Sequence, residues 1–240
     1  MISVVMLHWK RPENVHRLIA TYSLMKSVGE IFLVNNNPDF RLACHLPKVT
    51  VVNANKDLGL FSRFAMGALA SFPMVLIVDD DLFVPEETLL KLKAAWLADP
   101  MIIHGLIGRR SLNRGYSSKT IHGPSEIVLT RALITTPEYC AMALVHARRF
   151  TEELQAEPKG NGEDILLSYV VMSHSKRLNM AHRLPFLELP SPEAIHLRVV
   201  NHRRHRSRVV RWCLENMEMT GVPRQPDAFY EGTNVHSSQS

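Results

Sequence analysis

Four short runs of the chain are apolar almost from end to end, and each gives way to a polar cluster. They are 2–7 (ISVVML), 31–34 (IFLV), 49–54 (VTVVNA) and 74–78 (MVLIV), followed by HWKR at 8–11, NNN at 35–37, NKD at 55–57 and DDD at 79–81. An apolar run without polar alternation is a strand covered on both faces, the condition of a parallel sheet between helix layers. Between the first two runs, Pro12 opens a stretch in which Val15, Leu18, Ile19, Tyr22 and Met25 recur at helical spacing. A second helix is expected over 62–72. The predicted fold class is therefore α/β, with a mostly parallel central sheet flanked by helices and a Rossmann-like first half. Such sheets bind ligands beyond the carboxyl ends of their strands, and all four polar clusters fall on that edge.

The remaining elements follow the same signals. Pro85-Glu86-Glu87 opens a helix over 86–98, and strands are expected at 101–110 and 127–136 around a Gly- and Ser-bearing loop, 111–125. A helix over 137–150 follows. GNGED at 160–164 begins another, residues 183–193 are extended, and a last helix covers 206–219. With 240 residues and 46% hydrophobic content, the chain can bury one full core, placed at 1–220, ahead of a polar tail, 221–240.

Asp79, Asp80 and Asp81 follow VLIV without a break. Adjacent carboxylates repel one another, and a hard divalent cation, Mn2+ or Mg2+, offsets that cost. A nucleotide-sugar diphosphate would complete the coordination sphere, and the metal would neutralise the departing diphosphate. An acidic turn capping the next helix is the structural alternative. In GNGED, Glu163 and Asp164 favour the helix dipole as caps, or face an acceptor hydroxyl as base or orienting group. The order of the two acidic motifs suggests a nucleotide-sugar half, 1–100, and an acceptor half, 101–220. Asn36 and its neighbours fit either a nucleobase contact or an Asn-rich turn before Pro38. Arg63 is a candidate phosphate or carboxylate partner, or an ordinary surface arginine, and Arg109 with Arg110 closes a strand where it could contact the diphosphate or the sugar.

The net charge of +5 is concentrated in 196–211, which holds six arginines and three histidines and no carboxylate. This stretch reads as a solvated basic face, as a nucleic-acid patch without interleaved aromatics, or as a mobile arm closing over a diphosphate. There is no GxxxxGK[ST], no GxGxxG after the first strand and no GxSxG. Cys44, Cys140 and Cys213 are too far apart for a zinc knuckle and do not form an even disulfide set. The opening apolar run is too short for a signal peptide or membrane span. A cytoplasmic protein, or one held at a membrane surface, is expected.

The ordered set ISVVMLHWKRPENV, EIFLVNNN, LFSRF, VLIVDDDL, GRR, IVLTRALITTPEYC, GNGEDILLSYVV and NHRRHR…RWC resembles the exostosin-like glycosyltransferase domain of the GT-A superfamily. The likeness spans roughly 2–215. It implies that His8, Trp9 and Arg11 border a nucleotide, with Asn36 near the base and Arg63 reaching nucleotide or sugar. Asp79 and Asp80 would lie near ribose and donor sugar, and Asp81 would be the direct metal ligand. Asp164 would stand near the reacting centre, and His202 or Arg203 would touch the diphosphate. The implied reaction takes a UDP-activated N-acetylhexosamine with Mn2+ and retains anomeric configuration. Three departures are visible: Gly162 stands where the family has Cys, His8-Trp9 replaces Thr-Tyr, and anchor and disulfides are lacking.

The reading that unites these features is a metal-dependent transferase moving a hexose or N-acetylhexosamine from a UDP-sugar to a glycan acceptor, with no nucleic-acid partner. An inverting transferase, a sugar nucleotidyltransferase and a basic nucleic-acid-binding protein are the alternatives.

Overall fold

Strand β1 (Ile2–His8) is buried at every position and runs through the interior of an eight-stranded sheet. In the computed structural model, residues 1–155, 158–191 and 202–223 are described. β1 is flanked in parallel by β2 (Val28–Asn35) and β4 (Val75–Asp79), so that Val5 lies beside both Phe32 and Ile77. β3 (Val49–Asn53) pairs in parallel with β2 and forms one edge. Helix α1 (Pro12–Leu24) begins on Pro12, whose fixed φ suits a first turn, and buries Val15, Leu18, Ile19 and Tyr22. Helix α2 (Ser62–Ala68) returns the chain to β4. After β4 come β5 (Leu82–Phe83) and helix α3 (Glu86–Ala98). The apolar runs thus form the parallel strands expected of them.

The second half departs from expectation in detail. The 101–110 segment is two strands in different sheets, β6 (His104–Gly105) and β7 (Gly108–Arg109). A side chain at Gly105 would meet Val128 Cγ1 at 2.3 Å, and one at Gly108 would meet Ser125 Oγ at 2.4 Å. The chain passes too close to its neighbours there to carry one regular strand. The expected loop at 111–125 instead holds a hairpin, β8 (Ser111–Leu112) and β9 (Gly115–Tyr116). Asn113 and Arg114 have φ of 48° and 62° at its turn, the sign that a two-residue hairpin turn needs. β10 (Gly123–Ser125) then joins the large sheet. The 127–136 run is likewise divided: β11 (Ile127–Val128) pairs with β7, and β12 (Ala132–Thr135) lies antiparallel between β4 and β6. β13 (Asn179–Ala181) pairs in parallel with β6. The sheet order is β10-β13-β6-β12-β4-β1-β2-β3, with β12 and β10 reversed.

Helix α4 (Pro137–Leu154) runs a turn beyond the expected end, and α5 (Glu163–Ser175) is buried along its first ten residues. A short ribbon forms where β14 (Leu187–Glu188) pairs with β5. The last described helix, α6 (His202–Asn216), starts earlier than expected. Its buried Arg206, Val209, Val210 and Cys213 share one face, so from residue 202 the basic stretch is a packed helix and not a mobile arm. Gly162 lets α6 approach α5: its φ is 99°, and an added Cβ would lie 2.7 Å from Val209 Cγ2. The basic residues 196–201 and most of the expected tail, 224–240, lie outside the described residues. Among the described residues no helix is long and apolar enough to cross a membrane.

Candidate active site

The carboxyl edge of the sheet brings together residues from both halves. Asp79 ends β4, Arg63 lies in the first turn of α2, and Glu163 opens α5. Arg63 is 5% exposed; its Nη1 lies 2.9 Å from Asp79 Oδ1 and 3.6 Å from Glu163 Oε1. One guanidinium therefore joins the DDD and GNGED motifs. Burial works against its charge, but the carboxylates of Asp79 and Glu163 hold its pKa above the usual value. Burial also raises the pKa of Asp79, Arg63 opposes that shift, and Asp81 and Asp80 add to it.

The other two aspartates have their own cations. Nη1 of Arg11, just after β1, lies 3.1 Å from Asp80 Oδ1 and 2.6 Å from Asp81 Oδ2. His8 Nδ1 lies 3.5 Å from Asp80, Arg131 Nη2 lies 3.8 Å from Asp81, and Ser191 Oγ donates to Asp81 Oδ2 at 2.7 Å. The crowding that suggested a metal is thus met in this structure by three arginines and a serine. Among the described residues no group of three His, Cys, Asp or Glu side chains is closed around a cation position. The donors still suit one. Asp81 Oδ1 and Asp80 Oδ2 are buried without a hydrogen-bond partner, and the Asp79 side chain is 28% exposed, so hard oxygen lone pairs remain free.

At the start of α5 the two acids differ. Glu163 accepts from the Thr130 hydroxyl at 3.0 Å, and burial pushes its pKa up to about 7 against the pull of Arg63. Asp164 is clamped: Arg206 Nη2 lies 2.5 Å from its Oδ2, and its Oδ1 accepts from the Ile165 N–H at 2.8 Å. Arg206 also sits over the Tyr116 ring, 4.4 Å from its centroid. Burial disfavours the Arg206 charge, but Asp164 more than compensates and raises its pKa. Asp164 is a paired carboxylate held in place.

Asn36 is 3% exposed and donates to Gly59 O at 3.0 Å and Asp57 Oδ1 at 3.2 Å, leaving its Oδ1 unpartnered. Trp9 is half-buried in the bend after β1. His202 and Arg203 begin α6, one turn before Arg206. Arg109 is engaged elsewhere, with the Thr120 hydroxyl at 2.6 Å and the Gly108 carbonyl at 3.0 Å, and has no contact with the aspartates among the described residues. Arg131, Thr130 and Ser191 are given no role by the sequence, and Arg206 falls there within a basic stretch open to three readings, a solvated face, a nucleic-acid patch or an arm over a diphosphate. A signal for its burial exists, because its spacing to Val209, Val210 and Cys213 is that of one helix face. Thr130 and Arg131 lie in a turn and Ser191 outside any helix or strand, so they carry no periodic signal.

Several buried polar atoms at this edge lack a hydrogen-bond partner: both ring nitrogens of His8, Asn36 Oδ1, Arg63 Nε, Asp80 Oδ2, Asp81 Oδ1 and Arg206 Nε. Such groups are costly unless a ligand satisfies them.

The domain is thus a mostly parallel sheet with a loaded carboxyl edge, extended by a mixed second half. The chain matches the glycosyl transferase family 64 domain over residues 2–219 and belongs to that family. A comparison with curated proteins finds no match. Among solved structures, TarS 1–349 of S. aureus in complex with UDP-GlcNAc is similar with a TM-score of 0.57 and 12% identity, over 90% of this chain and 67% of that one. The mannosyltransferase PcManGT from Pyrobaculum calidifontis with GDP-Man and Mn2+ aligns with a TM-score of 0.49 and 14% identity, over 82% of this chain and 59% of that one. GalNAc-T7 with UDP, GalNAc and Mn2+ aligns at 0.46 and 17%, over 72% of this chain and 40% of that one. The chain thus spans 40%, 59% and 67% of the lengths of these three structures, taken from the last to the first. The likeness to TarS is one of fold.

Proposed function

We propose that this domain transfers a hexose or N-acetylhexosamine from a UDP-sugar to a glycan acceptor, with Mn2+ or Mg2+ and with retention of configuration. The observation that carries the reading is Arg63, which binds the DDD and GNGED motifs into one buried cluster. The UDP-GlcNAc held by TarS, the similar fold, supports a nucleotide-sugar donor. The exostosin-like motif order supports the same donor class and a place in polysaccharide assembly.

In this reading Asp81 and Asp79 hold the cation, which when bound supplies positive charge to the departing diphosphate. Arg63 keeps Asp79 in place. His8 and Arg11 fix Asp80 toward ribose and donor sugar, Trp9 borders the nucleotide, and Asn36 offers its free carbonyl oxygen to the base. Glu163, with its raised pKa, exchanges the acceptor proton near neutrality. Asp164, held in place by Arg206, stabilises positive charge developing at the sugar. His202 and Arg203 extend the cationic lining toward the diphosphate.

Calorimetry with UDP, with and without Mn2+, tests the donor site in wild type and in Asp81→Asn. Binding that requires Mn2+ and is lost in the variant is expected. UDP binding indifferent to both metal and substitution, or no binding at all, would overturn the assignment.

A further inference from the structure

Arg204, Arg208 and Arg211 stand at i, i+4 and i+7 along α6, on the side opposite the buried Arg206, Val209 and Cys213. All three are exposed, as is Arg203 at their margin. Among the described residues none of the four has a carboxylate within ion-pair distance. Some exposed arginines elsewhere do, Arg148 and Arg149 with Glu152 and Glu153 and Arg177 with Asp99, while Arg17, Arg41 and Arg183 stand singly without such a pair; what sets α6 apart is the row of three on one face. The first carboxylate on α6 is Glu215, and Arg114 of the β8–β9 turn already lies 3.6 Å from it. The row spans about 10 Å of helix. Like charges one turn apart destabilise a helix, so the row is a cost to the free protein that an anionic partner would offset.

We infer that this face of α6 docks on a bilayer carrying anionic phospholipid headgroups. The arginines share one exposed side of a helix, an arrangement suited to a flat charged surface. No exposed aromatic ring lies among them to stack a base; Trp212 is 6% exposed and pairs with Glu153. Leu112, 40% exposed at the hairpin turn beside Arg114, adds an apolar contact at the end of the row. Because Arg206 on the inner side of α6 holds Asp164, docking the outer side keeps the candidate site close to the membrane plane.

Co-sedimentation of the full chain with phosphatidylcholine vesicles, with and without phosphatidylglycerol, tests this independently of any transferase activity. Binding that needs phosphatidylglycerol and weakens with salt is expected. Each neutralised arginine should weaken it about fivefold, so R204Q/R208Q/R211Q should lose about 10²-fold, with an unchanged thermal midpoint. Should the triple variant not fold, R204Q and R211Q singly carry the test, at about fivefold each. Equal binding of wild type and variants would overturn the proposal. So would indifference to phosphatidylglycerol with arginine-dependent binding to single-stranded RNA or an acidic polysaccharide.

Discussion

Replacing Arg206 by Met keeps most of the aliphatic stem and removes the charge that faces Asp164. The two side chains are 7% and 6% exposed and 2.5 Å apart. Asp164 would keep the Ile165 N–H but lose its only cation within ion-pair distance among the described residues. Removing one partner of a buried pair typically costs about 3–5 kcal/mol, because the other charge stays buried and uncompensated. For a chain of this size each kcal/mol shifts the thermal midpoint by about 2–4 °C, so Arg206→Met should lower it by about 6–20 °C. The loss of the contact with Tyr116 adds to the upper end. Combining Arg206→Met with Asp164→Asn removes the stranded charge and should recover about 2 kcal/mol relative to additivity. Thermal and denaturant unfolding of the four proteins measures both quantities. A cost under about 1 kcal/mol, additive with Asp164→Asn, would show that the pair is solvated and that Arg206 does not hold Asp164.

Asp79→Asn should, like Asp81→Asn, reduce turnover by at least about 10²-fold while leaving the fold intact, as read by sugar-transfer assay beside circular dichroism. Glu163 has a folded pKa raised to about 7, so its contribution to stability is complete below its unfolded pKa and fades as pH rises to about 7. Relative to Glu163→Gln, wild type should therefore lose on the order of 3 kcal/mol across that window, and parallel stability–pH curves would refute the shift. Gly162→Ala forces a side chain into φ of 99° and within 2.7 Å of Val209. It should cost about 2–6 kcal/mol in unfolding experiments, with Val209→Ala restoring the steric part.

Much of the first half could be read directly from the residues. Runs such as ISVVML and MVLIV carry no alternation, and Pro12 with its helical repeat separates the first two, so the parallel strands and their polar ends followed from local pattern. The second half was less legible because its strands are two to four residues long and change sheets. At 101–110 and 127–136 the sequence shows one apolar stretch each, yet each is two strands in different sheets, separated at 106–107 and by a turn at 130–131. The acidic motifs were visible as candidates. Arg63 was visible as a candidate carboxylate or phosphate partner, though not which acid it meets 16 residues on; Arg206, 42 residues from Asp164, and Ser191, 110 from Asp81, were not visible as partners at all.

By itself, then, the sequence determined which stretches are buried on both faces and that DDD and GNGED end or open such stretches, because periodicity is a local property of the chain. Only the tertiary structure decided that α6 turns one arginine inward to Asp164 and four outward to solvent, and that Arg63 bridges the two motifs. Those choices depend on which surfaces meet when the helices pack, and a charge is drawn to its partner by distance in space, whatever the separation along the chain.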